Sequence, residues 1–411
     1  MDKRVVITGM GIWSCLGYTL EEVRQSLYSG KSGIVFSQER KDAGFRSCLC
    51  AHIDKPDLKP FISRNQRQFM AEETQYAYMA TRAALEHANI DMDYLEKNEV
   101  GIIYGNDSAV ESTMIALDKF RQMKDTAATG SGAVFQSMNS TVSMNLACLF
   151  KLKGINMTAS AACASSSQAI GLAALLIKNG LQECVVCGGA QEANMYGVAS
   201  FDGIQSFSVN DSDPTKASRP FDRDRDGLVP GGGAATIVLE SYEHAVKRGA
   251  PILAEVIGWG FSSNGDHIST PNVDGPVRSL EKCLKNSGIS PEKIGYINAH
   301  ATSTRIGDSR EAQAISKIFS GLRVPVTSTK SQTGHEMWMA GASEVIYSVL
   351  MMKNGFIAGN INFHNPDEDS ARLNIIPETR ELHFDTFLSN SFGFGGTNST
   401  LIIRNISVSY T

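Results

Sequence analysis

The sequence lacks a long hydrophobic run, an excess of positive charge and a dense set of cysteines. No uncharged stretch approaches the ~18 residues of a transmembrane helix. The apolar run over residues 5–9 is too short for a signal peptide and suits a strand. The eight cysteines are spread over 411 residues, which is typical of reduced thiols rather than of a disulfide framework. We therefore expect a cytoplasmic protein without a membrane span.

The charge balance is slightly acidic, with 38 Lys and Arg against 43 Asp and Glu and a formal net charge of −5. This balance excludes broad electrostatic binding to nucleic acid or to an anionic membrane, so neither is expected as a partner. Hydrophobic residues make up 42% of the chain and charged residues 20%, which predicts a large core and no wholesale disorder. The length corresponds to two to three domains of about 150 residues.

Strand-like and helix-like segments alternate along the chain, which favours an α/β fold with a largely internal sheet. Predicted strands lie near 5–7, 100–104, 184–187, 235–239, 252–257 and 294–297, and predicted helices follow Thr19 and cover 71–87, 164–178, 276–285 and 340–353. Residues 168–177 are apolar nearly all round, which predicts a helix buried on every side and hence a layered α/β/α/β/α body. The least structured stretch, 244–250, would divide the chain into two halves.

Cys163 lies where this buried helix is predicted to begin, among the small residues of 158–167. A helix N-terminus favours an anion by about 0.3–1 kcal/mol, or ~2 kcal/mol when partly buried, and one pKa unit corresponds to about 1.4 kcal/mol. The helix dipole alone is therefore predicted to lower the pKa of this thiol from about 8.5 to roughly 7.5. From the residues alone, a reactive thiol and an inert buried cysteine stay equally open.

Two histidines lie in polar loops of small residues, His300 after a predicted strand and His335 ahead of a predicted helix. Such positions suit the rim of an active site, although a single histidine is more often a hydrogen-bonded structural residue. Lys330, taken alone, is interpreted as a surface lysine. Residues 391–398 form a Gly-rich turn that is either ordinary or able to approach a ligand closely, and they lack the Lys-Ser/Thr pair of a phosphate-binding loop.

Three local patterns imitate cofactor sites. Gly9 and Gly11 resemble a dinucleotide fingerprint, but the third glycine is missing. Cys184 and Cys187 have the spacing of a zinc pair, but they lie in an apolar strand without a second pair. His335 and the glutamate after it lack the second histidine of a zinc protease motif. No cofactor is expected from them.

The order Cys163, His300, Lys330, His335 and the Gly-rich turn resembles that of the β-ketoacyl-acyl carrier protein synthases. The resemblance covers essentially the whole chain and includes residues 5–11, 219–227, 302–304, 333–335 and 390–398. Three glycines at 231–233, where type II enzymes usually carry a glutamate, and residues 33–47 are closer to type I. A thiolase would need a second catalytic cysteine near the C-terminus, but the last cysteine is Cys283. Type III synthases carry an asparagine where this chain has His335.

This resemblance implies a thiolase-like five-layer α/β/α/β/α fold with two related halves. Residues 1–245 would form the half that carries the nucleophilic cysteine, and residues 246–411 the half that carries both histidines, the lysine and the Gly-rich loop. The implied assembly is a homodimer.

The implied reaction is a decarboxylative Claisen condensation in fatty acid elongation, with Cys163, His300, His335 and Lys330 as catalytic residues and acyl carrier protein as partner. Cys163 becomes acylated, and malonyl carrier protein then loses CO2 and extends the acyl group by two carbons. His300 and His335 would donate hydrogen bonds to the enolate as neutral imidazoles, while Lys330 supplies positive charge and orients His335. This chemistry needs no redox cofactor and no metal.

Supporting residues follow from the same resemblance. The amides of Cys163 and Phe394 would hold the oxyanion, Phe394 would gate the acyl pocket, and Phe392 would line the malonyl side. The remaining matches are Thr302 and Thr304 for pantetheine, Arg64 and Arg67 for carrier docking with Lys119, Arg121 and Lys124 as second choices, and Asn298, Glu344, Ser389 and Asn390 for a structural monovalent cation.

The chain departs from the family pattern at four positions that bear on specificity. Ala301 and Arg305 replace a usual glycine and proline, while Trp338 and Met339 replace small residues after His335. The tryptophan either narrows the acyl tunnel or packs between layers, which leaves the acyl preference open. The alternatives are a ketosynthase of a specialised polyene or polyketide pathway, a Cys-His thioester hydrolase, and a non-catalytic partner subunit.

Overall fold

Residues 2–406, the part of the chain that the computed structural model describes, form fifteen strands and fifteen α-helices. The strands are β1 (Val5–Trp13), β2 (Ile34–Phe36), β3 (Leu49–Ala51), β4 (Gly101–Gly105), β5 (Asn156–Ala159), β6 (Cys184–Gln191), β7 (Gly233–Ser241), β8 (Ala254–Ser263), β9 (Tyr296–Asn298), β10 (Pro325–Thr327), β11 (Phe356–Ile357), β12 (Asn374–Ile375), β13 (Arg380–Glu381), β14 (Thr386–Gly393) and β15 (Thr397–Arg404). The helices are α1 (Leu20–Ser29), α2 (Gln38–Asp42), α3 (Arg64–Arg67), α4 (Glu72–His87), α5 (Met92–Lys97), α6 (Val110–Met123), α7 (Ala133–Gln136), α8 (Thr141–Phe150), α9 (Ser165–Lys178), α10 (Ala199–Gly203), α11 (Tyr242–Lys247), α12 (Asp274–Ser287), α13 (Arg305–Ile318), α14 (Lys330–Thr333) and α15 (Ala340–Asn354).

The helix predicted after Thr19 is present as α1, because the residues that start and end it lie next to it in the sequence. The Thr19 side chain accepts a hydrogen bond from the Glu22 amide, and the Glu22 side chain accepts one from the Thr19 amide, which is a capping box. Gly30 ends α1 in the left-handed region at φ 69°. Each predicted strand and helix is present in the described residues. The predictions missed the longer helices α6, α8 and α13, several short helices, and the sheet strands β5, β10, β14 and β15.

Gly9 and Gly11 of β1, which resemble a dinucleotide fingerprint, have a packing role in the structure. A Cβ at Gly9 would lie 2.2 Å from the Ala84 carbonyl oxygen of α4, and one at Gly11 would lie 2.1 Å from that of Ala80. These glycines let α4 pack directly on β1, so the strand continues through them to Trp13 instead of ending near residue 7. Their function is close helix–strand packing.

The central sheet repeats one topology twice. In the first half the order is β5-β4-β6-β7-β1, and in the second it is β10-β9-β14-β15-β8, with β12 added at the edge. In both halves the first three strands are parallel and the next two pairings are antiparallel. A short β1–β8 pairing joins the halves. The expected pair of related α/β halves is therefore confirmed.

Helices α9 and α15 pack together between the two halves of the sheet, while α4 covers β1 and β7 and α12 covers β8 and β15. The layered body is thus as expected, but the prediction that α9 is buried on every side is wrong at Leu175, which is 40% exposed. In α15, by contrast, residues 340–352 are all buried. None of the helices within 2–406 is long and apolar enough to cross a membrane.

Candidate active site

Cys163 lies just before α9, at the end of the loop that follows β5. Ala162 precedes it with φ 48°, a left-handed conformation that is costly for a residue with a side chain. The Asp107 carboxylate accepts a hydrogen bond from the Ala162 amide at 2.9 Å and holds this turn in place. The loop therefore fixes the position of the buried thiol at the helix N-terminus.

The sulfur of Cys163 is surrounded by hydrogen-bond donors. His335 Nε2 lies 3.0 Å from Sγ, and the backbone amides of Phe394 and Cys163 also donate to the sulfur. The Met337 amide donates to His335 Nδ1 at 3.3 Å, so in a neutral imidazole the hydrogen sits on Nε2. His335 is thereby oriented as a donor to Sγ.

His300 faces His335 across the site, with the ring centroids 5.2 Å apart and the planes at 85°. Its backbone amide and that of Ala301 donate to the Glu311 carboxylate at 2.9 and 2.7 Å. The Nδ1 atom of His300 is buried without a hydrogen-bond partner. Glu311, which the sequence analysis missed, fixes this loop, and no local motif marks it because it acts from α13, eleven positions along the chain.

The pKa values of the two histidines and of the cysteine are shifted in opposite directions. Burial, followed by the Lys330 charge, lowers the pKa of His300 and of His335 well below 6.5, so both imidazoles are neutral. Burial raises the pKa of the Cys163 thiol to about 12, although Lys330 and the two amides act in the opposite direction. The prediction of a pKa near 7.5 is therefore wrong, because burial destabilises the thiolate by more than the helix dipole stabilises it.

We expect the rate of Cys163 alkylation by iodoacetamide to rise about tenfold for each pH unit from about pH 7 to pH 10, because only the thiolate reacts. Peptide mapping would separate Cys163 from the exposed Cys148. A small thiol with a pKa of about 8.5, measured in parallel, levels off near pH 9. A plateau below about pH 8 at Cys163 would contradict the raised pKa and restore the helix-dipole expectation.

Lys330 is not the surface lysine that its sequence context suggests. Its side chain is 2% exposed and its ammonium pairs with the buried carboxylate of Glu344. Burial raises the pKa of Glu344, and the pairing with Lys330 opposes this shift. The lysine influences Cys163, His300 and His335 through its charge.

A cavity of about 520 Å³ leads from the surface to these residues. Its lining contains the following residues expected at the site: Cys163, His300, His335, Thr302, Thr304, Phe392 and Phe394. The Oγ1 atoms of Thr302 and Thr304 lie 3.1 Å apart. Phe394 is 37% exposed and stacks on Phe201 with a centroid distance of 6.1 Å. The cavity therefore has a polar wall with Thr302 and Thr304 and an aromatic wall with Phe201 and Phe394, and Cys163 lies in its lining.

The four departures from the family pattern fall in different places. Ala301 is buried without a positive φ, so it replaces glycine without strain. Arg305 begins α13 and lines the cavity. Met339 is buried in the large core between the layers, whereas Trp338 packs in the apolar cluster that contains Cys163.

The residues expected to hold a monovalent cation lie buried, with Asn298 and Ser389 paired on the adjacent parallel strands β9 and β14. Asn298 Oδ1 and Glu344 Oε2 are buried without hydrogen-bond partners. The Asn390 side chain is already engaged, since it donates to Glu311 at 3.0 Å and accepts from Thr400 at 3.1 Å. Two unpartnered oxygens fit a hard cation, which prefers oxygen ligands.

Two further expected residues lie away from the cavity lining. Arg64 and Arg67 form part of the short helix α3, where Arg64 is exposed and Arg67 half-buried. The Arg67 guanidinium donates to the Ile62 carbonyl oxygen. These arginines form a surface feature rather than part of the reacting site.

Family models match most of the chain. Residues 2–245 match the model described as "Beta-ketoacyl synthase, N-terminal domain", and residues 253–364 match "Beta-ketoacyl synthase, C-terminal domain". Among curated relatives, the "3-oxoacyl-[acyl-carrier-protein] synthase 1" proteins of Escherichia coli (strain K12) and Haemophilus influenzae are each 40% identical over 98% of this chain and 99% of their own length. A "synthase 2" of Coxiella burnetii is 35% identical over the same shares.

Solved structures agree with these matches. A β-ketoacyl synthase from Burkholderia phymatum STM815 superposes with a TM-score of 0.93 and 35% identity, covering 98% of this chain and 100% of the other. The structure titled "The ishigamide ketosynthase/chain length factor" superposes with a TM-score of 0.92 and 29% identity over the same shares. The duplicated α/β topology of this chain is therefore the thiolase-like fold of ketosynthases.

Proposed function

The chain belongs to the β-ketoacyl synthase family, and from that premise we propose that it condenses an acyl group on Cys163 with malonyl-acyl carrier protein in fatty acid elongation. The observation that carries this proposal is the 3.0 Å contact between Cys163 Sγ and His335 Nε2 at the end of an open cavity. The product is a 3-oxoacyl carrier protein extended by two carbons, and the enzyme is an acyltransferase.

In the first half-reaction, Sγ attacks the carbonyl carbon of an acyl-carrier thioester. The amides of Cys163 and Phe394 donate to the sulfur in the free enzyme, and in this proposal they bind the oxyanion of the tetrahedral intermediate. Collapse breaks the bond to the pantetheine sulfur, and the proton from Cys163 ends on that leaving thiolate. Because both imidazoles are neutral with low pKa values, neither is a permanent base.

In the second half-reaction, His335 changes its partner. Acylation converts Sγ into a thioester sulfur, which is a weak acceptor, so the Nε2–H of His335 becomes free to donate to the malonyl carbonyl oxygen. Together with His300 it stabilises the enolate that forms as the carboxylate leaves as CO2. The enolate carbon bonds to the acyl carbon, the carbon–sulfur bond breaks, and the Cys163 thiolate takes a proton from water. Thr302 and Thr304 bind the pantetheine arm, and Phe392 lines the malonyl side.

The buried Asn298 and Glu344 oxygens would hold a structural monovalent cation together with Ser389 and Asn390. A bound cation would supply positive charge near the Lys330–Glu344 pair and would take no part in bond making. Asn298 lies on β9, Ser389 and Asn390 lie on β14, and Glu344 lies on α15. The chain is proposed to divide at 245/246, so that the nucleophile comes from the first half and the two histidines from the second.

The exposed apolar residues support a homodimer. Helix α6 has no buried residue within its span, and β5 lies at the open edge of the sheet. Apolar side chains in and around α6, α7 and β5 are between 40% and 66% exposed: Met114, Ile115, Leu117, Phe120, Met123, Val134, Phe135, Met138 and Met157. Pairing of two copies about a twofold axis would cover them and the free edge of β5.

All eight cysteines are free thiols, which suits the reducing cytoplasm.

Arg64 and Arg67 are proposed to dock the acidic carrier protein. Reversing both charges in Arg64→Glu/Arg67→Glu is expected to raise KM for malonyl carrier protein about tenfold with kcat nearly unchanged, because charges at the edge of an interface act mainly on association. Steady-state kinetics at two salt concentrations measure this. Arg380→Glu, at an exposed position in β13 outside the cavity lining, is the matched control and is expected to leave KM unchanged. Arg121→Glu, at the end of α6, tests the second-choice docking residues. A KM increase for that variant alone would move docking to α6.

The test of the proposed function is condensation itself, measured with acyl and malonyl carrier proteins as the two substrates. Formation of a 3-oxoacyl product with release of one CO2 per turnover supports it. A specialised polyene or polyketide ketosynthase shares this site, so the acyl group that reacts fastest distinguishes the two pathways. Release of a free acid without malonyl carrier protein would identify a hydrolase instead.

A further inference from the structure

Trp338 fills space next to the nucleophile. It is 6% exposed and packs in a cluster of buried apolar side chains that includes Cys163, Leu228 and Met337. Its indole N–H donates to Ser108 Oγ at 3.1 Å. Its ring is tilted against Phe201 at a centroid distance of 6.2 Å. A hydrogen bond at one end and an aromatic contact at the other fix the position of this side chain.

The cavity reaches this cluster but does not extend past it. Phe201, Leu228 and Met337 line the cavity beside Cys163. The Trp338 indole packs in the same cluster but does not line the cavity. An acyl chain bonded to Sγ begins in this apolar space. Growth of the chain towards Ser108 would require the volume that the indole occupies, because a close-packed interior offers little free space.

We infer that Trp338 sets the upper size limit of the acyl group that Cys163 accepts, an inference that rests on the proposed condensing function. Short acyl groups fit between Cys163 and the aromatic wall of Phe201 and Phe394. Longer ones must displace the indole, which breaks its hydrogen bond to Ser108. Trp338 is a specificity-determining residue and contacts no reacting atom in this role.

The test compares acylation of Cys163 by butanoyl, octanoyl and dodecanoyl carrier proteins, measured as initial rates by intact-protein mass spectrometry. The wild type is expected to select butanoyl over dodecanoyl. Trp338→Gly is expected to shift the dodecanoyl-to-butanoyl ratio by about fourfold for each methylene that enters the vacated space, and by more than about tenfold in total. Trp338→Leu is expected to give a smaller shift in the same direction.

Trp259→Gly is the matched control, because Trp259 is also buried but packs in the large core instead of the cluster around Cys163. It is expected to lower stability without changing the ratio. If Trp338→Gly does not fold, Trp338→Leu carries the test. A wild type that accepts dodecanoyl as fast as butanoyl, or folded Trp338 variants with an unchanged ratio, would overturn the inference. Absence of acylation by any donor in the wild type would instead remove the proposed function.

Discussion

Replacing Cys163 with alanine is expected to lower the condensation rate by at least about three orders of magnitude, because the proposed acyl-enzyme forms on this sulfur. The change removes one buried sulfur from a site that several donors surround, so the fold is expected to persist. Product formation from acyl and malonyl carrier proteins measures the loss, and circular dichroism checks the fold.

Cys187→Ala is the matched control for this variant. Cys187 is also fully buried, and burial raises the pKa of its thiol, but it lies in β6 outside the cavity lining. It is expected to keep nearly full activity. Comparable losses in both variants would mean that the effect is structural, and an active Cys163→Ala would exclude the covalent mechanism.

Replacing either histidine with alanine is expected to lower kcat by about 10²–10³, the usual effect of removing one donor from an oxyanion site. The two variants should differ by half-reaction. His335 contacts Sγ directly, so His335→Ala slows both acylation and decarboxylation, whereas His300→Ala slows decarboxylation and leaves acylation nearly normal. Single-turnover acylation and CO2 release from malonyl carrier protein measure the two steps separately.

The pH dependence provides an independent check on the histidines. Because burial and the Lys330 charge lower both imidazole pKa values well below 6.5, both rings stay neutral from about pH 8 down to about pH 6. CO2 release should therefore show no histidine titration in that range. A loss of this step with a midpoint near 6.5 would show that at least one imidazole is charged in the resting enzyme.

The sequence was informative where a signal is local. The capping box at Thr19, the alternation of strands and helices, and the position of Cys163 before a helix all depend on neighbouring residues and are found in the structure. The Gly-rich turn at 391–398 was ambiguous alone, and the structure brings its Phe394 amide to the Cys163 sulfur.

The failures share one physical cause, since each depends on which residues pack together in three dimensions. Lys330 has a polar local context, yet Glu344 pairs with it in the interior. The pKa of Cys163 was predicted from the helix dipole, but desolvation by burial determines the direction in which the pKa shifts. The duplicated sheet order leaves only weak repetition in the sequence, because strand order is a property of pairing. The position of Trp338 depends on Ser108 and Phe201, which are far from it in the sequence and contact it in the fold.

The most direct test of a covalent condensing mechanism is intact-protein mass spectrometry of the purified enzyme, first with acyl carrier protein and then with malonyl carrier protein. The wild type is expected to gain the mass of one acyl group on Cys163. It then loses that mass as a 3-oxoacyl product two carbons longer appears, and Cys163→Ala gains nothing. No acyl mass on Cys163 with any donor, or product formation without an acylated enzyme, would contradict it.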